Sequence, residues 1–158
     1  MNNKRQRGFS LIELLIVVAI IGIIAAIAIP SLLRSQQAAR ETAALAEVRN
    51  IGQSQIMYSL GHRGKFADLA TLGTQAGLHP DVAAGIKGGY QFASTPLTNE
   101  GMSAMFDTTA KPTNVGAFGT GNRSFYSNES NVVDEAEGAE PPTATPQDRV
   151  PKDGLPIQ

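Results

Sequence analysis

Residues Lys4-Arg5-Gln6-Arg7-Gly8-Phe9-Ser10-Leu11-Ile12-Glu13-Leu14 run directly into Leu15-Ile16-Val17-Val18-Ala19-Ile20-Ile21-Gly22 and on to Pro30. A basic, polar start gives way to an apolar run, and between Glu13 and Arg34 no side chain carries a charge. As a helix rising about 1.5 Å per residue, the stretch from Leu14 to Leu33 is about 30 Å long, the thickness of a bilayer's hydrocarbon core. Lys4, Arg5 and Arg7 precede it and Arg34 alone follows closely, so the bias of basic residues keeps the N-terminus in the cytoplasm and sends the remainder across the membrane. Glu13 is out of place in this picture, because a carboxylate in an inserted apolar helix is costly and marks a functional pairing.

Two ordinary readings of the segment leave Glu13 unexplained. One is a secretory signal peptide, with Ala26-Ile27-Ala28 as the small-residue site before a cut at Ile29. The other is a plain single-pass anchor. Either would deliver an exported or membrane-anchored binding domain that forms no filament.

The order Arg7-Gly8-Phe9-Ser10-Leu11-Ile12-Glu13-Leu14 resembles the N-terminal signal of type IV pilins and of type II secretion pseudopilins. A short basic leader ends in Gly8, an aromatic residue follows, and Glu13 is the fifth residue from that junction. The resemblance implies cleavage between Gly8 and Phe9 by a membrane-embedded prepilin peptidase, loss of residues 1–8, and N-methylation of Phe9. It further implies that Glu13 meets the amine of a neighbouring subunit and sets the register of a growing filament. An amine with a reference pKa of about 7.7 to 8.0 is largely cationic at neutral pH, and its attraction to a carboxylate is far stronger in a low dielectric than in water. A matched pair relieves both charges, and a mismatched register leaves one buried alone. Gly22 and Pro30 match the helix-weakening glycine and kinking proline of related pilins. Pro30 frees the carbonyl of Ala26, so the stretch Gly22 to Pro30 is expected to bend or partly unwind as the helix leaves lipid for a filament core.

Past the apolar run, residues 34–61 read as an amphipathic continuation of the same helix. Ala44, Val48, Ile51 and Tyr58 fall near one face, with Arg40, Glu41, Glu47 and Arg49 elsewhere. Gly61-His62-Arg63-Gly64 is the stop signal. The full helix would have about 50 residues and a length of about 75 Å, more than a domain of this size can cover, so its first half needs lipid or other copies.

Residues 62–137 change to short units. Asp68 to Leu72 suggests a helical turn, and Gly89–Ser94, Ser103–Thr109 and Arg123–Ser127 read as strands, with Pro96, Gly101, Pro112 and Gly116, Gly119 and Gly121 as the separators. An antiparallel sheet against the amphipathic half-helix would bury Phe92, Phe106, Phe125 and Tyr58. The expected fold is therefore α+β, the pilin-like pairing of a long N-terminal helix with a small antiparallel sheet. The resemblance is close over the first thirty residues and architectural over the rest. Five of the nine prolines follow Gly138, so residues 138–158 read as an extended, mobile tail.

With 13 basic and 14 acidic residues the chain is nearly neutral, which gives no reason to expect nucleic acid as a partner. It has no cysteine, so no disulfide closes the C-terminal loop as in many pilins. Asp134, Glu135, Glu137 and Glu140 are ligand types suited to calcium, which many major pseudopilins bind, but their spacing spells no ordered oxygen cage. No cofactor and no metal are expected. His62 and His79 belong to no metal or triad spacing, and Gly119-Thr120-Gly121 lacks the Lys-Ser/Thr of a phosphate loop, so no enzyme is expected. Asn122-Arg123-Ser124 and Asn128-Glu129-Ser130 fit the glycosylation triplet.

Together these features describe a structural subunit that polymerises into a type IV pilus or a type II secretion pseudopilus. Its expected partners are other copies or related pilins, the prepilin peptidase, an inner-membrane assembly platform and the bilayer. The short head and lack of cysteine lean towards a pseudopilin-like or minor subunit.

Overall fold

A computed structural model describes residues 9–97 and 104–157. Ser103 and the leader, including Gly8, lie outside them. Helix α1, Leu11–Gly61, contributes to two compact units divided between Ser35 and Gln36.

The first unit is the apolar part of α1. None of its residues from Phe9 to Ser35 is buried. Fifteen large apolar side chains between Phe9 and Leu32 are exposed. At about 1.5 to 3 kcal/mol for each one fully withdrawn from water, covering them is worth tens of kcal/mol. Pro30 lies inside the helix, which continues without interruption on both sides of it.

The second unit combines the rest of α1 with a six-stranded sheet. Helix α2, Leu69–Gln75, starts at Asp68, whose side chain accepts from the Thr71 N–H at 2.8 Å. Helix α3, Pro80–Ala83, starts at His79 with proline in its first turn, where the missing donor costs nothing. The strands are β1 Ile86–Lys87, β2 Tyr90–Leu97, β3 Met105–Pro112, β4 Arg123–Asn128, β5 Val133–Glu137 and β6 Leu155–Ile157. All neighbours are antiparallel and lie in chain order, a meander.

The expected α+β architecture is present, and the three expected strands correspond to β2, β3 and β4. Alternation along β2 sends Tyr90, Phe92 and Ser94 inward. With Phe125 from β4, the two aromatic residues meet Ala44, Val48 and Ile51 of α1 in one core with Leu72 and Val82. Phe106 is fully buried and edges against Phe66, their ring centroids 4.7 Å apart, while Tyr58 is half-buried at the margin of the core.

Pro96 and Pro112, expected between strands, instead lie within β2 and at the end of β3. The reason is the edge: β1 pairs with Tyr90 and Gln91, the Phe92 N–H donates to the Gly85 carbonyl at 2.8 Å, and beyond Phe92 no described strand pairs with β2 on that side, so no donor is needed from Pro96. The C-terminal segment also departs from a mobile tail. Leu155, Pro156 and Ile157 pair with Glu135, Asp134 and Val133, and Pro156 is tolerated because β6 is the outer strand.

Candidate functional site

At the start of α1, the Ser10 N–H donates to Glu13 Oε2 at 2.9 Å. Ser10 precedes the first helical residue, and Glu13 sits three positions later. This is the carboxylate half of a capping box, which satisfies a backbone donor that a helix start leaves free. In the isolated chain Glu13 thus serves its own helix end. Phe9, just before it, is 87% exposed, and nothing approaches the space a Cβ on Gly22 would fill. The site residues inferred from sequence therefore lie along one bare helix, Phe9 and Glu13 at its start and Gly22 and Pro30 further on, while Gly8 falls outside the described residues.

What holds the second unit together forms no sequence motif. Gln37, Glu41, Ala44, Val48, Ile51, Gly52 and Gln55 form the buried stripe of α1. Three of these carry polar side chains, and each is spent on a distant loop or strand. Gln37 Nε2 donates to the carbonyls of Gly116 at 2.7 Å and Gly119 at 3.1 Å. Glu41 accepts from the Asn122 N–H at 2.7 Å and from Arg123 Nε at 2.8 Å. Gln55, fully buried, donates to the Ala67 carbonyl and to Ser94 Oγ and accepts from the Ala67 N–H. Charge alone would put Glu41 off the apolar face; it lies on that face because Arg123 and a backbone amide meet it there. Gly52 has a further role, since a Cβ at that position would overlap the Asn131 side chain on the β4–β5 turn. Glu47 is the exception in kind, half-buried and paired with Lys87 at 2.7 Å.

Arg149 does a similar task from the C-terminal segment. Its guanidinium reaches Glu129 Oε1 and Asp107 Oδ1, each at 2.7 Å, and the Phe106 carbonyl at 2.8 Å. The hydrogen bonds to Glu129 come first among the causes that raise its pKa. Tyr126, which donates to Asp107 at 2.6 Å, is held protonated first by burial and then by that carboxylate.

The acidic residues near β5 are separated by their surroundings. Asp134 is buried, and burial raises its pKa. Glu135 is tied to Arg123 at 2.7 Å. Glu137 and Glu140 line a shallow cavity with Asp153 and Leu155. Among the described residues no group of three or more His, Asp or Glu side chains is placed to hold a metal. His79 caps α3, and His62 stacks on Tyr58 with centroids 3.8 Å apart. Asn128 is buried, its amide donating to the Arg149 carbonyl, whereas Asn122 is exposed.

Residues 3–29 match the family model described as the prokaryotic N-terminal methylation motif. Over 68 residues, 43% of this chain and 30% of the relative, the sequence is 41% identical to the type IV major pilin protein PilA of Myxococcus xanthus. It is 39% identical over 69 residues to the type IV wide pilus major component PilA4 of Thermus thermophilus, covering 44% of this chain and 53% of that one. It is 37% identical over 60 residues to the type II secretion system core protein G of Pseudomonas aeruginosa, covering 38% and 42%. The chain thus spans about a third to about half the length of these relatives. No solved structure matches it significantly.

Proposed function

We propose that this chain, a member of the type IV pilin and pseudopilin family by its N-terminal segment, is a structural subunit that polymerises through its apolar helix. The match over residues 3–29 carries this reading. The bare helix from Phe9 to Ser35 supports it physically, since so much apolar surface must find lipid before assembly and other copies after it. The subunit waits as a single-pass inner-membrane protein with its N-terminus in the cytoplasm. Prepilin peptidase cuts after Gly8 and N-methylates Phe9, and an inner-membrane platform adds the subunit to the filament.

Glu13 then gains a second partner. The Ser10 N–H it accepts from survives the cut, so the carboxylate remains held at the helix start. It has further lone pairs for the Phe9 amine of a neighbouring copy, which favours one register over its neighbours. Gly22 and Pro30 supply the flexibility the helix needs on transfer. The pilin and the pseudopilin readings both stand, since relatives of both kinds match the chain over 60 to 69 residues.

Mass spectrometry of the mature N-terminus tests the proposal. An N-methylated Phe9 is expected. A chain beginning at Ile29, or one retaining Met1, would overturn it in favour of a signal peptide or a plain anchor.

A further inference from the structure

The loop between β3 and β4, residues 113–122, contains no charged residue and carries two exposed apolar side chains, Phe118 at 86% and Val115 at 50%. Exposure of this kind on a slack loop would mean little. This loop is tightly held: the Thr120 N–H donates to the Asn114 carbonyl at 2.8 Å, and the Gly119 N–H to the Gly116 carbonyl at 2.9 Å. The Gly116 N–H donates to Asn122 Oδ1 at 3.1 Å. A Cβ on Gly119 would collide with the Asn114 carbonyl and the Val115 backbone, so only glycine permits the chain to close there. The fold therefore fixes the backbone of a tip whose phenyl ring is left exposed by the described residues.

Its position along the chain says what the ring can meet. The buried Gln37 side chain clamps the loop through the carbonyls of Gly116 and Gly119. Gln37 is four residues beyond Leu33, the last residue of the apolar run, or about 6 Å of helix. The polar headgroup layer adds a comparable depth, about 5 to 7 Å, to each side of the hydrocarbon. Arg34 and Arg40, both exposed, bracket Gln37 in sequence and suit anionic headgroups. An uncharged loop ending in an aromatic residue, tied to the chain so soon after its apolar run, has the chemistry of an interfacial anchor.

We propose that Phe118 and Val115 form a bilayer contact, the β3–β4 loop resting in the headgroup layer of the membrane that holds the apolar helix before assembly. This rests on the membrane-anchored subunit proposed above. The contact would be given up on extraction into a filament.

The chain contains no tryptophan, so Phe118→Trp provides a single reporter at an exposed position. The full-length variant would be reconstituted into phosphatidylethanolamine–phosphatidylglycerol vesicles carrying nitroxide-labelled lipids, with vesicle flotation measured in parallel. Ile86→Trp is the control: Ile86 is 60% exposed, and its neighbour Lys87 is bound to Glu47, ten residues further along α1 than Gln37. Expected is a blue-shifted emission from the Phe118→Trp variant that loses about half its intensity to headgroup-proximal nitroxides, with emission from the Ile86→Trp control unaffected. Flotation of Phe118→Trp with water-like, unquenched emission would overturn the loop contact and leave the anchored-subunit reading intact. Emission that shifts only on polymerisation, without lipid quenching, would assign the loop to a neighbouring subunit and overturn it equally. Failure to float would remove both readings.

Discussion

Glu41, on the long helix, accepts the Nε hydrogen of Arg123, at the start of β4, across 2.8 Å. The same carboxylate takes the Asn122 N–H at 2.7 Å, and Arg123 reaches on to Glu135 at 2.7 Å, so one helical side chain ties together a loop end and two strands. Burial alone would lower the pKa of Arg123, but its carboxylate partners outweigh this and raise it. Glu41→Ala leaves a partly buried backbone donor, the Asn122 N–H, without its acceptor and removes one of two anions from Arg123. Because the Arg123 side chain is 40% exposed, water takes over part of the loss. A destabilisation of about 1 to 2 kcal/mol is expected, read as a lower melting temperature of the full chain in detergent. Glu41→Gln, which keeps an acceptor, should lose about half as much. An unchanged melting temperature in both would show that the tie contributes nothing.

Gln55 should matter more, since it is fully buried and serves both backbone groups of Ala67 as well as Ser94. Gln55→Leu keeps the volume but strands those groups, and a cost of about 2 to 4 kcal/mol is expected in denaturant titration. The contrast is with Ile56→Leu on the exposed side of the same turn, for which less than about 0.5 kcal/mol is expected. Equal costs at the two positions would refute the role given to Gln55.

These polar ties also mark where sequence reading stopped. The apolar stripe through Ala44, Val48 and Ile51 and the alternation along Tyr90 to Ser94 are local patterns, and the core they build was legible before any coordinates. Gln37, Glu41 and Gln55 were not. A polar residue on a helix reads as solvent-facing until its partner is known, and the partners of Glu41 are 81 and 82 residues away. The same holds for Arg149: its segment is rich in proline and looks loose, yet one guanidinium binds Glu129, Asp107 and the Phe106 carbonyl. By contrast, the N-terminal methylation motif that residues 3–29 match was legible because a motif of this kind lies in contiguous order. The one thing that order did not disclose is the bond from Ser10 to Glu13.

That bond sharpens what Glu13 substitutions should do. Glu13→Ala removes half of a capping box, a local cost of about 1 kcal/mol at a helix end that leaves the apolar run intact. Membrane insertion and cleavage should therefore proceed, with filament yield falling at least about tenfold, the effect of losing about 1.4 kcal/mol per addition step. Glu13→Gln keeps the acceptor for Ser10 but not the charge, so it separates the two roles. Sheared-filament yield should remain low in Glu13→Gln if pairing with the amine is what matters. Restoration to wild-type yield would assign the assembly defect to capping instead.

Acid should act on the sheet through Glu129 and Asp134 in opposite directions. Burial on its own would raise the Glu129 pKa, but the hydrogen bonds from Arg149 outweigh it and hold the carboxyl below its ordinary value of 4.5. The folded chain then binds fewer protons than the unfolded one, so this contribution is complete above that value and is lost as pH falls through the folded value. Asp134 is raised from 3.8 by burial, so its ionisation weakens the fold above the folded value, and the penalty fades as pH falls through it. Glu129→Gln should lower the melting temperature at pH 7 and flatten its decline in acid. Glu47, whose pKa Lys87 and Asn50 lower against the effect of burial, keeps some of that decline. Asp134→Asn should raise the melting temperature at pH 7, with the gain shrinking as the buffer is taken towards pH 3.8. Melting curves of the full chain in detergent across this range decide it: parallel profiles for wild type and both variants would mean that neither carboxyl changes its proton affinity on folding.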